Sequence, residues 1–360
     1  MATLSINTDR ICGNIIKLQD YLSQNGIQWT LVSKMLCGYK PALEKIIPAK
    51  CIKNLHSVGD SRITNLRIIK DIKPDVVTMY IKPPAFNQVK NVIKYADISL
   101  NSSFKTIKAL DKEAANQGKV HRVIVMIEMG ELREGILRDD ILNFYEKTFQ
   151  LDNIKVIGIG TNLGCMYGIE PTYDKLIQLS LYKNLIEAKF DRKLELVSGG
   201  SSITLPLIST GKIPKGVNHF RVGEAALLGV SPLDGKKFRN LSTNAINFKA
   251  EILELYKKEM VPDGIMGEGA VGDIVGVENT DGKKESYRCL VDFGQLDVDT
   301  KNLTPKDENI NFVGTTSDMT VYDLGKNNNN YHVHDQLQFM PNYMSIARIM
   351  NSRYMSKELK

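Results

Sequence analysis

Short runs of apolar and β-branched residues recur along the first two thirds of the chain. Between them, apolar residues return every three or four positions, which is the period of an amphipathic helix. The runs occupy residues 29–32, 55–58, 76–80, 98–100, 123–126, 156–159, 194–197 and 219–222. Eight alternations of strand and helix over about 200 residues predict a (β/α)8 barrel of the TIM type. A doubly wound open sheet is the alternative, but no GxGxxG turn follows an early run to support it.

The pattern changes after Gly229. Short alternating runs, broken by Gly, Asp and Asn, predict a smaller C-terminal all-β domain. These runs lie at residues 245–248, 251–256, 273–277, 288–293, 311–313 and 320–324. We place the boundary so that residues 1–235 form the barrel and residues 236–360 the β domain. The first strand, within residues 1–7, can return to join the second domain.

Catalytic groups in such a barrel collect where strands end and loops begin. Lys34 follows the first run. It is either a surface side chain whose ammonium reaches water or a desolvated amine of the kind that forms Schiff bases. Ser198-Gly199-Gly200-Ser201-Ser202 and Arg221-Val222-Gly223-Glu224 follow the last two runs. Hydroxyls and exposed N–H groups converge at this place in many barrels to bind a phosphate, although Gly199-Gly200 could merely turn the chain.

These features together suggest a phosphorylated aldehyde as cofactor. A lysine stands at one rim, a phosphate cradle is expected opposite, and Arg133 and Arg221 fall between them. The sequence therefore predicts pyridoxal 5'-phosphate, held as an imine on Lys34.

Composition argues against several other classes of protein. Apolar residues make up 42% and charged residues 24%, as in an ordinary soluble protein with a sizeable core. The net charge of +6 is dispersed, so nucleic-acid binding is not expected. No window reaches the roughly 18 apolar residues of a membrane span. Five cysteines without CxxC spacing favour a reducing, cytoplasmic compartment. His332-x-His334 stands alone beside a polar loop, so no metal site is expected.

Several motifs resemble the fold-type III pyridoxal-phosphate enzymes of the alanine racemase superfamily, and more closely its ornithine/alanine racemase-like branch. The resemblance covers nearly the whole chain. In the barrel it rests on Val32-Ser33-Lys34, Gly130-Glu131-Leu132-Arg133-Glu134-Gly135, Gly160-Thr161-Asn162-Leu163-Gly164-Cys165 and the two turns after the last runs. In the β domain it rests on Gln295-Leu296-Asp297-Val298-Asp299 and Ser317-Asp318.

The resemblance implies a role for each matching residue. Lys34 would be the Schiff-base lysine and one of two acid/base groups. Arg221 would face the pyridine nitrogen, and Arg133 would lie beside the phenolic oxygen unless it is only an ion-pair partner. Because an arginine keeps its proton, the ring nitrogen would stay unprotonated, which favours racemisation over transamination.

Further cofactor contacts follow from the same resemblance. Asn162 takes the place of a histidine that packs on the ring in alanine racemases. Hydroxyls and backbone N–H groups would reach the phosphate from Ser198, Ser201, Ser202, Gly223 and Glu224. Tyr343 resembles a C-terminal tyrosine that also reaches the phosphate, or it is part of the core.

The second acid/base group differs from the family pattern. Alanine racemases use a tyrosine of the neighbouring subunit, whereas residues 262–270 of this chain contain none. Racemisation needs a proton donor opposite Lys34. The candidates are Cys165, Glu268, Asp273 and Asp318, each of which could instead be structural or solvated. Asp318 is the best placed of them for substrate contact.

Three functions are compatible with these residues. The first is racemisation of an amino acid, with a basic substrate such as ornithine suited to the acidic candidates. The second is a fold-type III decarboxylase or lyase, although the HxGSG-like turn and Cys-Asp pair of those enzymes are missing. The third is a non-catalytic pyridoxal-phosphate carrier, against which a complete β domain argues. The resemblance also implies a homodimer with shared active sites.

Overall fold

The computed structural model describes residues 2–265, 267, 272–274 and 285–360 of the chain. It contains two compact units, one formed by Met1–Thr8 with Asn244–Lys360 and the other by Asp9–Thr243. The chain passes from one to the other after Thr243 rather than after residue 235. The reason is local, because the Asn14 amide donates to the Ser242 carbonyl oxygen (3.0 Å) and accepts from the Ser242 N–H (2.7 Å). These bonds keep the segment up to Thr243 with the barrel unit.

The strand nearest the N-terminus, β1 (Thr3–Ile6), belongs to the first of these units. Eight parallel strands close a barrel in the Asp9–Thr243 unit, all of which the structure describes. They are β2 (Gln28–Val32), β3 (Ser57–Asp60), β4 (Thr78–Tyr80), β5 (Ile98–Asn101), β6 (His121–Met126), β7 (Ile154–Gly160), β8 (Leu196–Ser201) and β9 (His219–Val222). Each strand pairs with the next, and β9 pairs with β2. The predicted (β/α)8 barrel is confirmed.

Helices alternate with these strands. They are α1 (Thr8–Gln24), α2 (Lys40–Ile46), α3 (Ile63–Ile72), α4 (Val89–Tyr95), α5 (Phe104–Asn116), α6 (Ile141–Thr148), α7 (Tyr173–Phe190), α8 (Leu205–Ser209) and α9 (Glu224–Leu228). None of the helices in the described part of the chain is long and apolar enough to cross a membrane.

The barrel interior is filled by side chains from several strands. Residues two apart on a strand face the same side, so alternate positions line the interior. One apolar cluster joins Met79, Ile98, Leu100, Ile124, Met126, Ile157 and Leu196, each at most 3% exposed. Full burial of such a side chain contributes about 1.5–3 kcal/mol. This packing makes the barrel a rigid support for groups at the strand ends.

The other unit is built around an antiparallel sheet. Its strands are β10 (Ile246–Glu259), β11 (Asp273–Ile274), β12 (Glu285–Val291), β13 (Leu303–Pro305), β14 (Asn311–Thr315), β15 (Thr320–Asp323), β16 (Gln336–Pro341) and β17 (Ser356–Leu359), and helix α10 (Tyr343–Asn351) precedes the last. Within the described residues the sheet runs β11-β14-β15-β12-β10-β1-β17, with β16 against β10 and β13. Strand β1 therefore joins this sheet, with Thr3 opposite Lys249 of β10.

Candidate active site at the mouth of the barrel

Lys34 lies at the carboxyl end of β2. The strand ends at Val32, Ser33 has helical backbone angles, and Lys34 begins a one-turn 3-10 helix that ends at Leu36. Met35 and Leu36 are buried and anchor this turn, whereas Lys34 is exposed. The prediction of a desolvated amine is therefore wrong for the chain as described. Because the strand ends two residues earlier, Lys34 sits on the rim of the barrel rather than inside its wall.

Asp60 stabilises the Lys34 turn through a hydrogen bond to the preceding Ser33, a role that the sequence did not reveal. Its carboxylate is fully buried at the end of β3 and accepts from the Ser33 hydroxyl at 2.9 Å. It also accepts from the Arg62 N–H (2.9 Å) and the Asn65 amide (3.1 Å). Burial raises the pKa of Asp60, and these hydrogen bonds oppose the rise. Strand β3 continues for two residues beyond the apolar run at residues 55–58, so the apolar pattern does not mark Asp60 as part of the strand.

The turn after β9 lies directly beside the Lys34 turn. Leu31 of β2 is in register with Val222 of β9. A Cβ placed on Gly223 would come within 2.9 Å of the Val32 carbonyl oxygen, so the backbones approach closely here. Burial raises the pKa of the Glu224 carboxyl, and the positive charge of Lys34 acts against that rise. Lys34 is therefore electrostatically coupled to the predicted phosphate cradle.

Hydroxyl groups link the two turns of the predicted cradle. The Ser201 hydroxyl accepts from the Thr204 N–H, and the Ser202 hydroxyl accepts from the Ala225 N–H at 3.2 Å. Each hydroxyl can still donate its own proton to a phosphate oxygen. Gly199-Gly200 lie within β8 and do not form a turn, so the alternative that they merely turn the chain is wrong. A Cβ on Gly200 would lie 2.2 Å from the Phe220 ring.

Arg221 is a buried cation with several acceptors. Its Nη1 donates to the Ser198 carbonyl oxygen (2.9 Å) and hydroxyl, and its Nη2 to the Thr161 carbonyl oxygen (2.7 Å). Burial lowers the pKa of Arg221 to about 10, so the group stays protonated at neutral pH. The Ser198 hydroxyl thus holds Arg221, the residue predicted to face the cofactor ring. A direct contact of Ser198 with the cofactor stays a prediction.

The loops after β6 and β7 bring Arg133, Asn162 and Cys165 together. Arg133 forms an ion pair with Glu134 through Nε and Nη2, while its Nη1 lies 2.6 Å from the Cys165 Sγ. The Asn162 side-chain oxygen, in the orientation that satisfies both groups, accepts from Arg133 Nη1 at 3.0 Å. Glu134 raises the pKa of Arg133. Arg133 is therefore an ion-pair partner of Glu134, which was the alternative to a place beside the phenolic oxygen. It also contacts the predicted site residues Asn162 and Cys165.

Glu131 organises the loop that carries Cys165, which the sequence did not reveal. Its side chain is 2% exposed and accepts from the N–H groups of Cys165, Tyr167 and Ile169, each at 2.9 Å. Burial acts to raise the pKa of Glu131, but the amide hydrogen bonds outweigh it and lower that pKa. In the sequence, the only feature that could indicate this role of Glu131 is its position in the Gly-Glu-Leu-Arg motif, in which a role was predicted for Arg133 alone.

Three predicted residues, Asp273, Asp318 and Tyr343, lie in the described part of the β unit. The Ser317 hydroxyl donates to the Asp318 carboxylate in the turn between β14 and β15. Tyr343 is the first residue of α10, and Asp273 begins β11. Glu268 lies outside the described residues. Their contributions to the site stay predictions.

Around the mouth, the barrel unit presents a lysine, two arginines, an amide, a thiol and two serine hydroxyls. They lie at or just beyond the carboxyl ends of β2, β6, β7, β8 and β9, which surround the same mouth of the barrel. The two hydroxyls and the close backbone at Gly223 fit a phosphate, and Arg221 and Arg133 fit acceptor atoms of an aromatic ring. This donor set matches the phosphate, phenolic oxygen and ring nitrogen of pyridoxal 5'-phosphate.

Two amino-acid racemases match this chain over nearly its whole length. The chain is 32% identical over 357 residues to an ornithine racemase of Acetoanaerobium sticklandii, covering 99% of both chains. It is 28% identical to a lysine racemase of Thermotoga maritima, covering 98% of this chain and 97% of that protein.

Solved structures share the fold at lower sequence identity. Alanine racemase from Corynebacterium glutamicum superposes with a TM-score of 0.71 at 16% identity, covering 100% of this chain and 99% of that one. Alanine racemase from Bartonella henselae, with covalently bound pyridoxal phosphate, gives 0.73 at 15% identity, covering 100% and 99%. The family model described as "Alanine racemase, N-terminal domain" matches residues 6–232. The chain therefore belongs to the alanine racemase family.

Proposed function

We propose that this protein interconverts the enantiomers of a basic amino acid, with ornithine as the first substrate to test. It is a pyridoxal 5'-phosphate-dependent amino-acid racemase, in keeping with its family and its two full-length racemase relatives. Those relatives are named for ornithine and lysine, whose side chains both carry an amine. Two side chains on neighbouring strands carry the proposal. Lys34 follows β2 and Arg221 lies one residue before the end of the neighbouring β9, so a reactive amine and a permanent hydrogen-bond donor are placed at the same end of the barrel.

The residues present would hold the cofactor as follows. Ser201, Ser202 and the backbone at Gly223 would bind the phosphate, and Arg221 would donate to the ring nitrogen. Arg133 would donate to the phenolic oxygen, and Lys34 would form the covalent link. When bound, pyridoxal 5'-phosphate would withdraw electrons from the substrate Cα and so acidify its proton.

Inversion at Cα needs one proton-transfer group on each face of the substrate. Lys34 removes or returns the Cα proton on its own side. Cys165 follows β7, which is three strands from β2 around the ring of eight, so its thiol lies across the mouth. Held against Arg133, that thiol is the second group that we propose. Asp318 of the β unit is proposed to bind the cationic end of the substrate.

Racemase activity is tested directly with chiral chromatography. Purified protein with pyridoxal 5'-phosphate should convert either enantiomer of ornithine into the racemic mixture, with lysine, arginine and alanine assayed in parallel. Lys34→Ala should abolish conversion of every substrate. Unchanged optical purity of all four amino acids would refute the proposal, and release of carbon dioxide would instead indicate a decarboxylase.

Proton exchange in D2O tests the assignment of Cys165. In the Cys165→Ala variant, Lys34 should still exchange the Cα proton of one enantiomer, whereas inversion should fall by at least about a hundredfold. Lys34→Ala should lose both exchange and inversion. If Cys165→Ala inverts ornithine at the rate of the parent protein, the second proton-transfer group lies elsewhere, and Asp318→Asn is the next variant to assay.

A homodimer with shared sites is part of the proposal, as is a cytoplasmic location, which the cysteine usage supports. Light scattering of the purified protein should give twice the chain mass. If Asp318 serves the neighbouring subunit, mixing Lys34→Ala and Asp318→Ala subunits should restore about a quarter of the parent activity, because half of the dimers then contain one intact site. Activity that stays at the level of either variant alone would contradict sharing through Asp318.

A further inference from the structure

A chain of hydrogen bonds between polar side chains runs through the barrel interior beneath the site. Arg221 Nη1 donates to the Ser198 hydroxyl, whose Oγ lies 2.8 Å from His219 Nδ1. His219 Nε2 lies 3.0 Å from the Thr30 hydroxyl, which lies 2.7 Å from that of Ser57. The Ser57 hydroxyl lies 3.1 Å from Nδ1 of the half-buried His56. Four of these residues, Ser198, His219, Thr30 and Ser57, are at most 1% exposed.

Strand register brings these side chains together. Ser198 of β8 is in register with His219 of β9, and Thr30 of β2 is in register with both Ser57 of β3 and Arg221 of β9. His219 and Arg221 are two residues apart on one strand, so they face the same side. The chain of hydrogen bonds therefore follows from the closure of the barrel between β9 and β2.

Arg221 fixes the direction of the chain, because a guanidinium only donates. The Ser198 oxygen accepts from it, so the Ser198 proton is available for His219 Nδ1. A neutral imidazole that accepts at Nδ1 carries its proton on Nε2 and donates to Thr30. Thr30 then donates to Ser57, and Ser57 donates to His56. Every hydroxyl in this arrangement both accepts and donates.

The reverse direction is less favourable. If His219 carried its proton on Nδ1, Ser198 would accept from both His219 and Arg221. Both partners of the Ser198 hydroxyl, His219 Nδ1 and Arg221 Nη1, would then be donors. Within the described residues, the Ser198 hydroxyl proton would therefore have no acceptor. The unsatisfied buried donor should favour the tautomer protonated on Nε2 by roughly fivefold to 150-fold, which is equivalent to about 1–3 kcal/mol.

We propose that His219 positions Arg221 through Ser198, and that it does so as the neutral tautomer protonated on Nε2. Burial and the neighbouring Arg221 and His56 hold the pKa of His219 well below its usual range, in agreement with a neutral ring. The hydrogen-bond chain itself is independent of the activity, whereas its effect on catalysis rests on the proposed function. In that function the Arg221 guanidinium must point at the ring nitrogen, and a Ser198 hydroxyl free to rotate would no longer hold it there.

Nitrogen NMR of the cofactor-free protein tests the tautomer without any assay of activity. The chain has five histidines, so long-range proton-nitrogen spectra of histidine-labelled protein are simple, and loss of signals in His219→Asn assigns that ring. At neutral pH, His219 should carry a proton on Nε2 only, and Ser198→Ala should increase the population protonated on Nδ1. A ring protonated on Nδ1, or on both nitrogens, in the parent protein overturns the proposal.

Three variants of the loaded enzyme test the positioning role. In His219→Asn, the side-chain oxygen can replace Nδ1 and accept from Ser198, whereas His219→Phe cannot. His121→Phe is the matched control, because His121 is 3% exposed in the same barrel and bonds to Ser99 rather than to Ser198.

We expect His219→Phe to lower kcat by about tenfold more than His121→Phe, with KM little changed, and His219→Asn to recover most of that loss. The cofactor absorbance should shift in His219→Phe alone. Equal losses in the two Phe variants, or no recovery in His219→Asn, would overturn the positioning role. If the parent protein itself proves inactive, the proposed function fails, while the NMR result still decides the tautomer.

Discussion

Replacing Glu131 with glutamine tests how the Cys165 loop is held. The carboxylate is 2% exposed and accepts three backbone N–H groups, two at Oε1 and one at Oε2. The glutamine oxygen can keep two of these bonds without the negative charge. At the third position the new NH2 group would face the N–H of Tyr167, donor against donor. The loop should therefore lose one hydrogen bond outright and retain two weaker ones.

The magnitude follows from typical hydrogen-bond energies. A hydrogen bond to a charged group contributes about 1.5–3 kcal/mol, and one between neutral groups about 0.5–1.5 kcal/mol. Losing one charged bond and weakening two gives a loss of about 3–5 kcal/mol in the free energy of unfolding of the barrel unit. For a unit of this size that corresponds to a fall in Tm of roughly 10 °C. Urea and thermal unfolding followed by circular dichroism measure both quantities.

The pH dependence gives a second readout of the same substitution. The folded protein holds the pKa of Glu131 below its ordinary value, so the stabilisation is fully present above the unfolded pKa. It is lost as the pH falls through the folded pKa. The stability gap between the parent protein and Glu131→Gln should therefore shrink in acid. The exposed Glu170, just beyond the same loop, provides the control, because Glu170→Gln should change stability by less than about 0.5 kcal/mol. A Glu131→Gln protein as stable as this control at neutral pH would refute the reasoning.

Three further predictions concern the rest of the barrel unit. Gly223→Ala should weaken cofactor binding by about tenfold, because the added Cβ would crowd the last carbonyl of β2. Gly13→Ala in α1 is the control: nothing lies near the added Cβ, so this variant should keep its cofactor affinity and stabilise the protein by about 0.5–1 kcal/mol. Equilibrium dialysis and urea unfolding measure these changes, and equal affinity in both variants would contradict the first. Ser33→Ala should cost about 1.5–3 kcal/mol where the buried carboxyl group at the end of β3 is ionised, since it removes a hydrogen-bond donor to that group, and less below the raised pKa of Asp60, where the carboxyl group is protonated. Glutathione disulfide should join Cys12 to Cys51, whose Sγ atoms lie 2.7 Å apart, with both thiol hydrogens passing to glutathione. A peptide map without the linked pair would refute this.

The order of the barrel strands and helices could be predicted from the sequence because each barrel strand is buried on both faces. Such strands read as short, nearly continuous apolar runs, and the helices between them keep their own period. The ends of the strands could not be predicted as well, because polar residues at a strand end continue the backbone pairing but are not part of the apolar run. For this reason β3 extends to Asp60 and β8 includes Gly199-Gly200.

The sequence by itself determined the barrel, the smaller sheet unit and the lysine and arginine at the strand ends, because these depend on local periodicity and on motifs that lie within a few residues. Only the tertiary structure decided which groups hold those side chains. Asp60 reaches Ser33, Glu131 reaches the Cys165 loop, and Ser198 joins Arg221 to His219, each across a gap of more than twenty residues. A hydrogen bond depends on the distance and direction between two atoms, and those are set only when neighbouring strands come into register. The exposure of Lys34 was decided in the same way, by the residue at which β2 stops.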